Sequence, residues 1–259
     1  MGPLLAVPIA GTIAAGAWRA GALTGPGAVA ATVVGSAILV TTGWPGGAVL
    51  LAFFVPSSAV GRIGLGRATA SDARGERRDP VQVVANGGAA ALSGFAELLE
   101  PGLGLWMVTA GLAAAAADTW ATSIGRIRPR APRDLLTGMR VLRGTSGAVS
   151  LVGSLGALGG AIVVAGVAAL MGGGPALFGW ATVIGFAGML ADSLLGATLQ
   201  ARFVCPACGE ASERQVHRCG TRTRRNGGWW WLDNDGVNAL ATVAASIAGG
   251  VAWLSLSRS

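Results

Sequence analysis

Residues 102–118 read GLGLWMVTAGLAAAAAD, sixteen positions without a charge and then Asp118. A helix gains 1.5 Å per residue, so a hydrocarbon layer about 30 Å thick takes roughly 17 to 25 mainly apolar residues to cross. The stretch is of that kind, and it is not alone. Comparable stretches run roughly over 2–18, 24–42, 46–61, 83–100, 147–171, 176–197 and 236–256. Hydrophobic residues make up 52% of the 259 positions, charged residues 12%, and the mean hydropathy is +0.59. A chain this apolar does not read as one soluble core, and the stretch lengths count against a soluble bundle of buried helices. The expected fold is all-α: a polytopic integral membrane protein forming a single transmembrane domain over 1–259. About eight helices cross, or six if the short first and third do not. The start of the chain lacks a basic cluster and a clear cleavage site, and reads as a retained helix.

The arginines orient these helices. Arg19 follows the first stretch; Arg62, Arg67, Arg74, Arg77 and Arg78 follow the third; further arginines fill 126–143 and 202–225. The alternate connections near 42–46, 101–102 and 172–175 carry none. The excess of basic residues in short loops marks the cytoplasmic side. The expectation is a multi-pass protein of the cell membrane with large basic cytoplasmic loops and both termini outside if all eight stretches cross. A net charge of +7 and a pI near 11.3 then describe one basic face. Its expected partners are membrane lipids and phosphate-bearing substrates, not nucleic acid, because nothing resembles a folded reader module. Gly156 and Gly160 form a small-xxx-small pair suited to close helix packing, which among 43 glycines says little about oligomerisation.

Acidic residues in apolar stretches are costly, about 2.5–3.5 kcal/mol at the centre of a span and less near its end. Asp118 closes its alanine run one helical turn before Thr122, and Asp192 lies one turn before Gly196 and two before Gln200. Asp233, Asn234, Asp235 and Asn238 open the last stretch. All three groups map to the cytoplasmic ends of their helices. Converging carboxylates with amide and hydroxyl neighbours are hard oxygen ligands suited to Mg²⁺, with Asp118, Asp192 and Asp235 as the expected ligands. Taken singly, each also fits a carboxylate at the interface, solvated by headgroups and paired with arginine.

Between the fifth and sixth stretches lies Arg140-Val141-Leu142-Arg143-Gly144-Thr145-Ser146-Gly147. Thr145 or Ser146 can cap the sixth helix, whose free N–H groups and dipole would favour an anion beside Arg140 and Arg143. A plain helix cap explains the same residues without a ligand. Asp79-Pro80 precedes Gln82 and Asn86, a polar pair one turn apart where the fourth helix enters. The chain has neither a lysine nor a Gly-x-x-x-x-Gly-Lys phosphate loop, so a nucleotide would be held by metal, arginine and backbone.

The loop over 201–228 carries Cys205, Cys208, His217 and Cys219, all the cysteines and the single histidine of the chain. Three thiolates and one imidazole at C-x₂-C-x₈-H-x-C match a closed structural Zn²⁺ site, like a zinc knuckle. Free cytosolic thiols are the competing reading. The absence of His-x-Glu before the cysteine pair argues against a zinc deaminase. Trp229, Trp230 and Trp231 read as an interfacial anchor.

Taken in order, Arg77 to Gly88, Ala117-Asp118-Thr119-Trp120-Ala121-Thr122-Ser123-Ile124-Gly125, Gly144-Thr145-Ser146-Gly147, Asp192 to Gln200 and Trp231-Leu232-Asp233-Asn234-Asp235 resemble the integral-membrane family called domain of unknown function 92. That family includes transmembrane protein 19 and the plant phytyl-phosphate kinase. More distantly, Asp118-Thr119 with Gly125 and a following Gly-Thr-Ser-Gly element resembles CTP-dependent polyprenol kinases and phosphatidate cytidylyltransferases. Those relatives usually place a lysine before the glycine element, where this chain has Arg140 and Arg143. The resemblance implies Mg²⁺-dependent transfer of a phosphoryl group from a nucleoside triphosphate, CTP first among the expected donors. The acceptor it implies is an isoprenyl monophosphate of phytyl or geranylgeranyl type. Asp118, Asp192 and Asp235 would serve the chemistry. Asn86, Gln82, Thr119, Thr122, Arg140, Arg143, Gly144, Thr145, Ser146, Gly147, Gln200, Asp233, Asn234 and Asn238 would bind substrate and nucleotide. A cytidylyltransferase making a CDP-lipid and an ion or solute transporter are the alternatives, and a scaffold would have no use for the clustered polar residues.

Overall fold

All eight apolar stretches are helical in the structure, a computed structural model that describes residues 1–65, 77–127, 131–141, 145–209, 211–212, 215–217 and 219–258. Helix α1 covers Pro3–Arg19 and α2 covers Gly25–Leu65, the latter broken at Gly43, whose φ of 65° lies in the left-handed region. Helix α3 covers Pro80–Ser93 and runs into a 3₁₀ segment, Gly94–Leu98. Helix α4 covers Leu103–Gly125, α5 covers Leu151–Ala168, α6 covers Gly174–Thr198 and α7 covers Asn234–Ser257. A π turn at Ala169–Gly173 joins α5 to α6. By length and composition, among the described residues three helical runs are long and apolar enough to cross a membrane: Gly25–Arg62, Leu151–Thr198 and Asn234–Ser257. The first two contain the Gly43 break and the π turn.

Helix α4 is the axis of the bundle. It packs against α2, α3, α5, α6 and α7, and every residue from Val108 to Ala117 is buried. A helix apolar on all sides finds its place in the middle, where no face has to meet a different medium. Its alanines let glycine-bearing neighbours come close. A Cβ added at Gly160 would fall 2.8 Å from the Ala116 carbonyl oxygen, one at Gly188 2.6 Å from Ala114 Cβ, and one at Gly249 2.8 Å from the Trp106 carbonyl oxygen. The Gly156 and Gly160 pair is therefore used within the chain, against α4.

The arginine-bearing connections meet at one end of the bundle. Backbone bonds from Thr24 N to the Arg78 carbonyl (3.0 Å) and from Arg78 N to the Ala22 carbonyl (2.9 Å) tie the α1–α2 turn to the start of α3. Asp79 caps α3 by accepting from Gln82 N at 2.9 Å, while the Gln82 side chain accepts from Asp79 N at 3.2 Å. Arg67 and Arg74 lie outside the described residues. The sequence did not anticipate strands in these connections. Strand β1 (Arg133–Asp134) pairs antiparallel with β2 (Ala148–Val149). Strands β3 (Arg202–Val204), β4 (Ala211–Ser212) and β5 (Arg224–Gly227) form a sheet in the order β4-β3-β5.

The β1–β2 ladder corrects one expectation. Helix α5 starts at Leu151 and is capped by Ser150, which accepts from Gly153 N at 3.1 Å. Thr145 and Ser146 do not cap it, because the ladder holds the intervening backbone extended.

Candidate functional site

Five polar side chains from four helices close on a small cavity at the arginine-bearing end: Asn86 of α3, Asp118 of α4, Asp192 of α6, and Asn238 and Thr242 of α7. Ala114, Ala115, Gly188 and Ala241 complete its wall. The small residues explain the geometry. Gly188 seats α6 directly on Ala114, and one turn on, each helix carries its aspartate. Asp118 lies seven residues before the end of α4 and Asp192 six before the end of α6, both about 10 Å inside the bundle.

One hydrogen bond at the cavity joins two helices and another stays within one. Thr242 Oγ1 donates to the Ala85 carbonyl at 3.1 Å and pins α7 to α3. Asn86 Nδ2 donates to the Gln82 carbonyl one turn back, at 2.9 Å. Asn238 Oδ1 is buried without a hydrogen-bond partner. An orphaned amide oxygen beside two carboxylates makes this wall a set of hard oxygen donors.

A second layer lies above the first. The turn at Thr145–Gly147 rests on the end of α6, where a Cβ added at Gly196 would fall 3.2 Å from Gly147 N, 3.3 Å from Gln200 Oε1 and 3.7 Å from Ser146 Cβ. Gln200 is buried. Asp192 connects the layers, since Gly196 is the next turn of the same helix.

Other expected residues are placed elsewhere. Asp233 caps α7, accepting from Gly236 N at 2.9 Å. Asp235 is buried in the first turn of α7 but does not line the cavity. Thr119 Oγ1 donates to the Ala115 carbonyl, and neither Thr119 nor Thr122 is in the wall. Asn234 is the first residue of α7 and, like Gln82, does not line the cavity. Arg140 is exposed in a hairpin, bridged to Arg133. Arg143 and Gly144 lie outside the described residues. Thr242 was missed, although it stands one turn beyond Asn238 on the same face.

In the loop over 201–228, the ligand atoms of Cys205, Cys208, His217 and Cys219 lie within 4.8 Å of one another. His217 Nδ1 is 3.1 Å and Cys205 Sγ 3.6 Å from Cys219 Sγ. Hydrogen bonding with Thr221 and His217 pulls the Cys219 thiol down to about 5, whereas hydrogen bonding to Cys219 and Cys205 pushes Cys208 up to about 11. This group could hold a metal ion, and its donor set is compatible with structural zinc.

The family model described as integral membrane protein DUF92 matches residues 8–246. The chain belongs to that family. Among DUF92 relatives, it is 31% identical over 234 residues to an uncharacterized membrane protein of Synechocystis, covering 85% of this chain and 79% of that one. It is 28% identical over 279 residues to Protein PGR of Arabidopsis thaliana, covering 96% and 95%. An uncharacterized membrane protein of Methanocaldococcus jannaschii is 26% identical over 240 residues, covering 90% and 87%. No solved structure matches the DUF92 chain.

Proposed function

We propose that this DUF92 protein is a Mg²⁺- and nucleoside-triphosphate-dependent kinase of the cell membrane. It converts an isoprenyl monophosphate of phytyl or geranylgeranyl type to the diphosphate at the cytoplasmic face, with CTP as the first donor to test. The observation that carries the reading is the convergence of Asp118, Asp192, Asn86, Asn238 and Thr242 on one cavity at the arginine-bearing end.

Asp118, Asp192 and Asn238 would hold Mg²⁺, which would supply positive charge to offset that of the donor phosphates. The Thr242 bond to the Ala85 carbonyl ties α7 to α3, so the cavity would need little reorganisation when charge develops. Ser146 and Gly147, lying on the end of α6, offer hydroxyl and backbone donors to a phosphate above Asp192. An oxygen of the acceptor monophosphate attacks the γ-phosphorus, and the bond from that phosphorus to the β,γ-bridging oxygen breaks. The nucleoside diphosphate leaves. The nucleophile is already ionised, so no general base is required of a chain with one histidine.

Glu97 speaks against an ion path through the bundle. Its carboxylate accepts from Gly102 N at 2.7 Å and Leu105 N at 3.0 Å, and so serves as a cap at the start of α4. Zinc on the Cys/His group would be structural.

Purified protein is tested with CTP, ATP, GTP and UTP against phytyl and geranylgeranyl monophosphates with and without Mg²⁺. Prenyl diphosphate with a matching nucleoside diphosphate supports the kinase. Inorganic diphosphate with a nucleotidyl lipid would replace it with a cytidylyltransferase, and no turnover with any pair would contradict both.

A further inference from the structure

A separate cavity of about 240 Å³ lies along α1 and both halves of α2, with α3 at its inner side. Its wall is apolar for most of its course, from Leu23 past Ile13, Leu50 and Phe53 to Trp44 and Met171. Leu23 belongs to the arginine-bearing end, whereas Trp44 and Met171 sit at the turns of the opposite end. The helix between Leu23 and Trp44 rises roughly 30 Å at 1.5 Å per residue, so the slot follows most of the thickness of a bilayer. Small side chains make the room. Ala31 and Ala48 line the slot, as does Gly87, where an added Cβ would fall 3.0 Å from Val34 Cγ1.

Two polar residues interrupt this lining. Arg78 is one, its guanidinium carbon 5.1 Å from the Phe53 ring centroid and 5.6 Å from that of Phe54. The backbone bonds to Ala22 and Thr24 fix its position. Among the described residues it has no carboxylate partner, and burial pushes its guanidinium down to about 10. A cation held on two aromatic faces at the end of an apolar slot, with no carboxylate beside it among the described residues, is complementary to an anionic head group. The other is Asn86, which lines both this slot and the aspartate cavity.

We infer that the slot binds the apolar chain of a single-chain anionic amphiphile, that Arg78 seats its head group, and that Asn86 is the doorway between that head and the aspartates. Only the identification of the head as a phosphate rests on the proposed phosphotransfer. Chain length is then read at the Trp44 and Met171 end, and the bulk at Ala48 decides how far a chain can enter.

The test is photo-crosslinking of the full-length protein in phosphatidylcholine nanodiscs, using an isoprenyl monophosphate with a diazirine at its chain terminus. The expected label falls near Trp44 and Met171. Geranylgeranyl monophosphate displaces it, geranylgeraniol needs at least about tenfold more, and phosphatidic acid does not displace it. Ala48→Phe reduces labelling at least about tenfold, whereas Val55→Phe, at a 57% exposed position of the same helix, leaves it unchanged. Arg78→Gln weakens displacement by the phosphate about tenfold and not by the alcohol. Thermal melting of each variant shows that it is folded. Label scattered over exposed positions such as Val29 and Leu155, or equal displacement by phosphatidic acid, overturns the inference. Labelling of the slot by a protein that turns over no nucleotide keeps the slot and rejects the phosphotransfer. Turnover with the label elsewhere does the reverse.

Discussion

Asp118 and Asp233 are both aspartates near the same end of the bundle, and their surroundings separate their roles. Asp118 faces a shared cavity, while the Asp233 carboxylate accepts from the backbone of α7. Asp118→Asn and Asp192→Asn are each expected to lower kcat by about 10²-fold or more, because each removes charge aimed at the transferred group. Asp233→Asn keeps an effective cap and should leave kcat within about threefold. Equal losses at Asp118 and Asp233 would deny the cavity its role. Thr242→Val removes the donor to the Ala85 carbonyl and should cost about 1 kcal/mol of stability, measured as a lower melting temperature. Thr242 was legible by spacing, one turn after Asn238. It passed unremarked because a threonine in an apolar helix ordinarily bonds its own preceding turn, as Thr182 does.

At the scale of elements, α4 governs the site. Its alanines admit glycines from three neighbouring helices, and the Gly188 contact sets the separation of the two aspartate-bearing helices. Gly188→Val forces α6 off α4. The expected result is a loss of about 1–3 kcal/mol in stability and loss of activity beyond what the lower stability explains. Gly179→Ala on the same helix meets nothing within 4 Å and should be neutral or stabilising by up to about 1 kcal/mol. A similar loss at both positions would mean that the cost does not come from the Gly188 contact with α4. The helices themselves were readable because apolar length alone identifies them. The α5 start was not, since Ala148 and Val149 are held extended by Arg133 and Asp134, and a two-residue ladder leaves no periodic signal. The same holds for β3 to β5, whose register depends on partners up to twenty-odd residues away.

Across the whole molecule, the Cys/His loop connects two site-bearing helices. Ala201 N donates to the Leu232 carbonyl at 2.8 Å and Trp229 N to the Leu199 carbonyl at 2.8 Å, so the loop clamps the end of α6 to the start of α7. Its C-x₂-C-x₈-H-x-C spacing was fully legible, as a closed donor set needs no long-range information. The aspartate cavity was legible only in part, because which carboxylates share it depends on helix rotation in the packed bundle, and Asp235 fell outside the wall. Zinc removal by a strong chelator should lower the melting temperature and reduce turnover, with Cys205→Ala doing the same without chelator. An unchanged melting curve with no bound zinc would leave the cysteines as free thiols. The central claim is that γ-phosphoryl transfer takes place at Asp118 and Asp192. Single-turnover transfer from γ-³²P-labelled CTP, and from ATP in parallel, to geranylgeranyl monophosphate tests it most directly. The account predicts label in the prenyl diphosphate with wild-type protein and Mg²⁺, and none with Asp118→Asn. Equal transfer by folded Asp118→Asn, or none by the wild type from either donor, would contradict it.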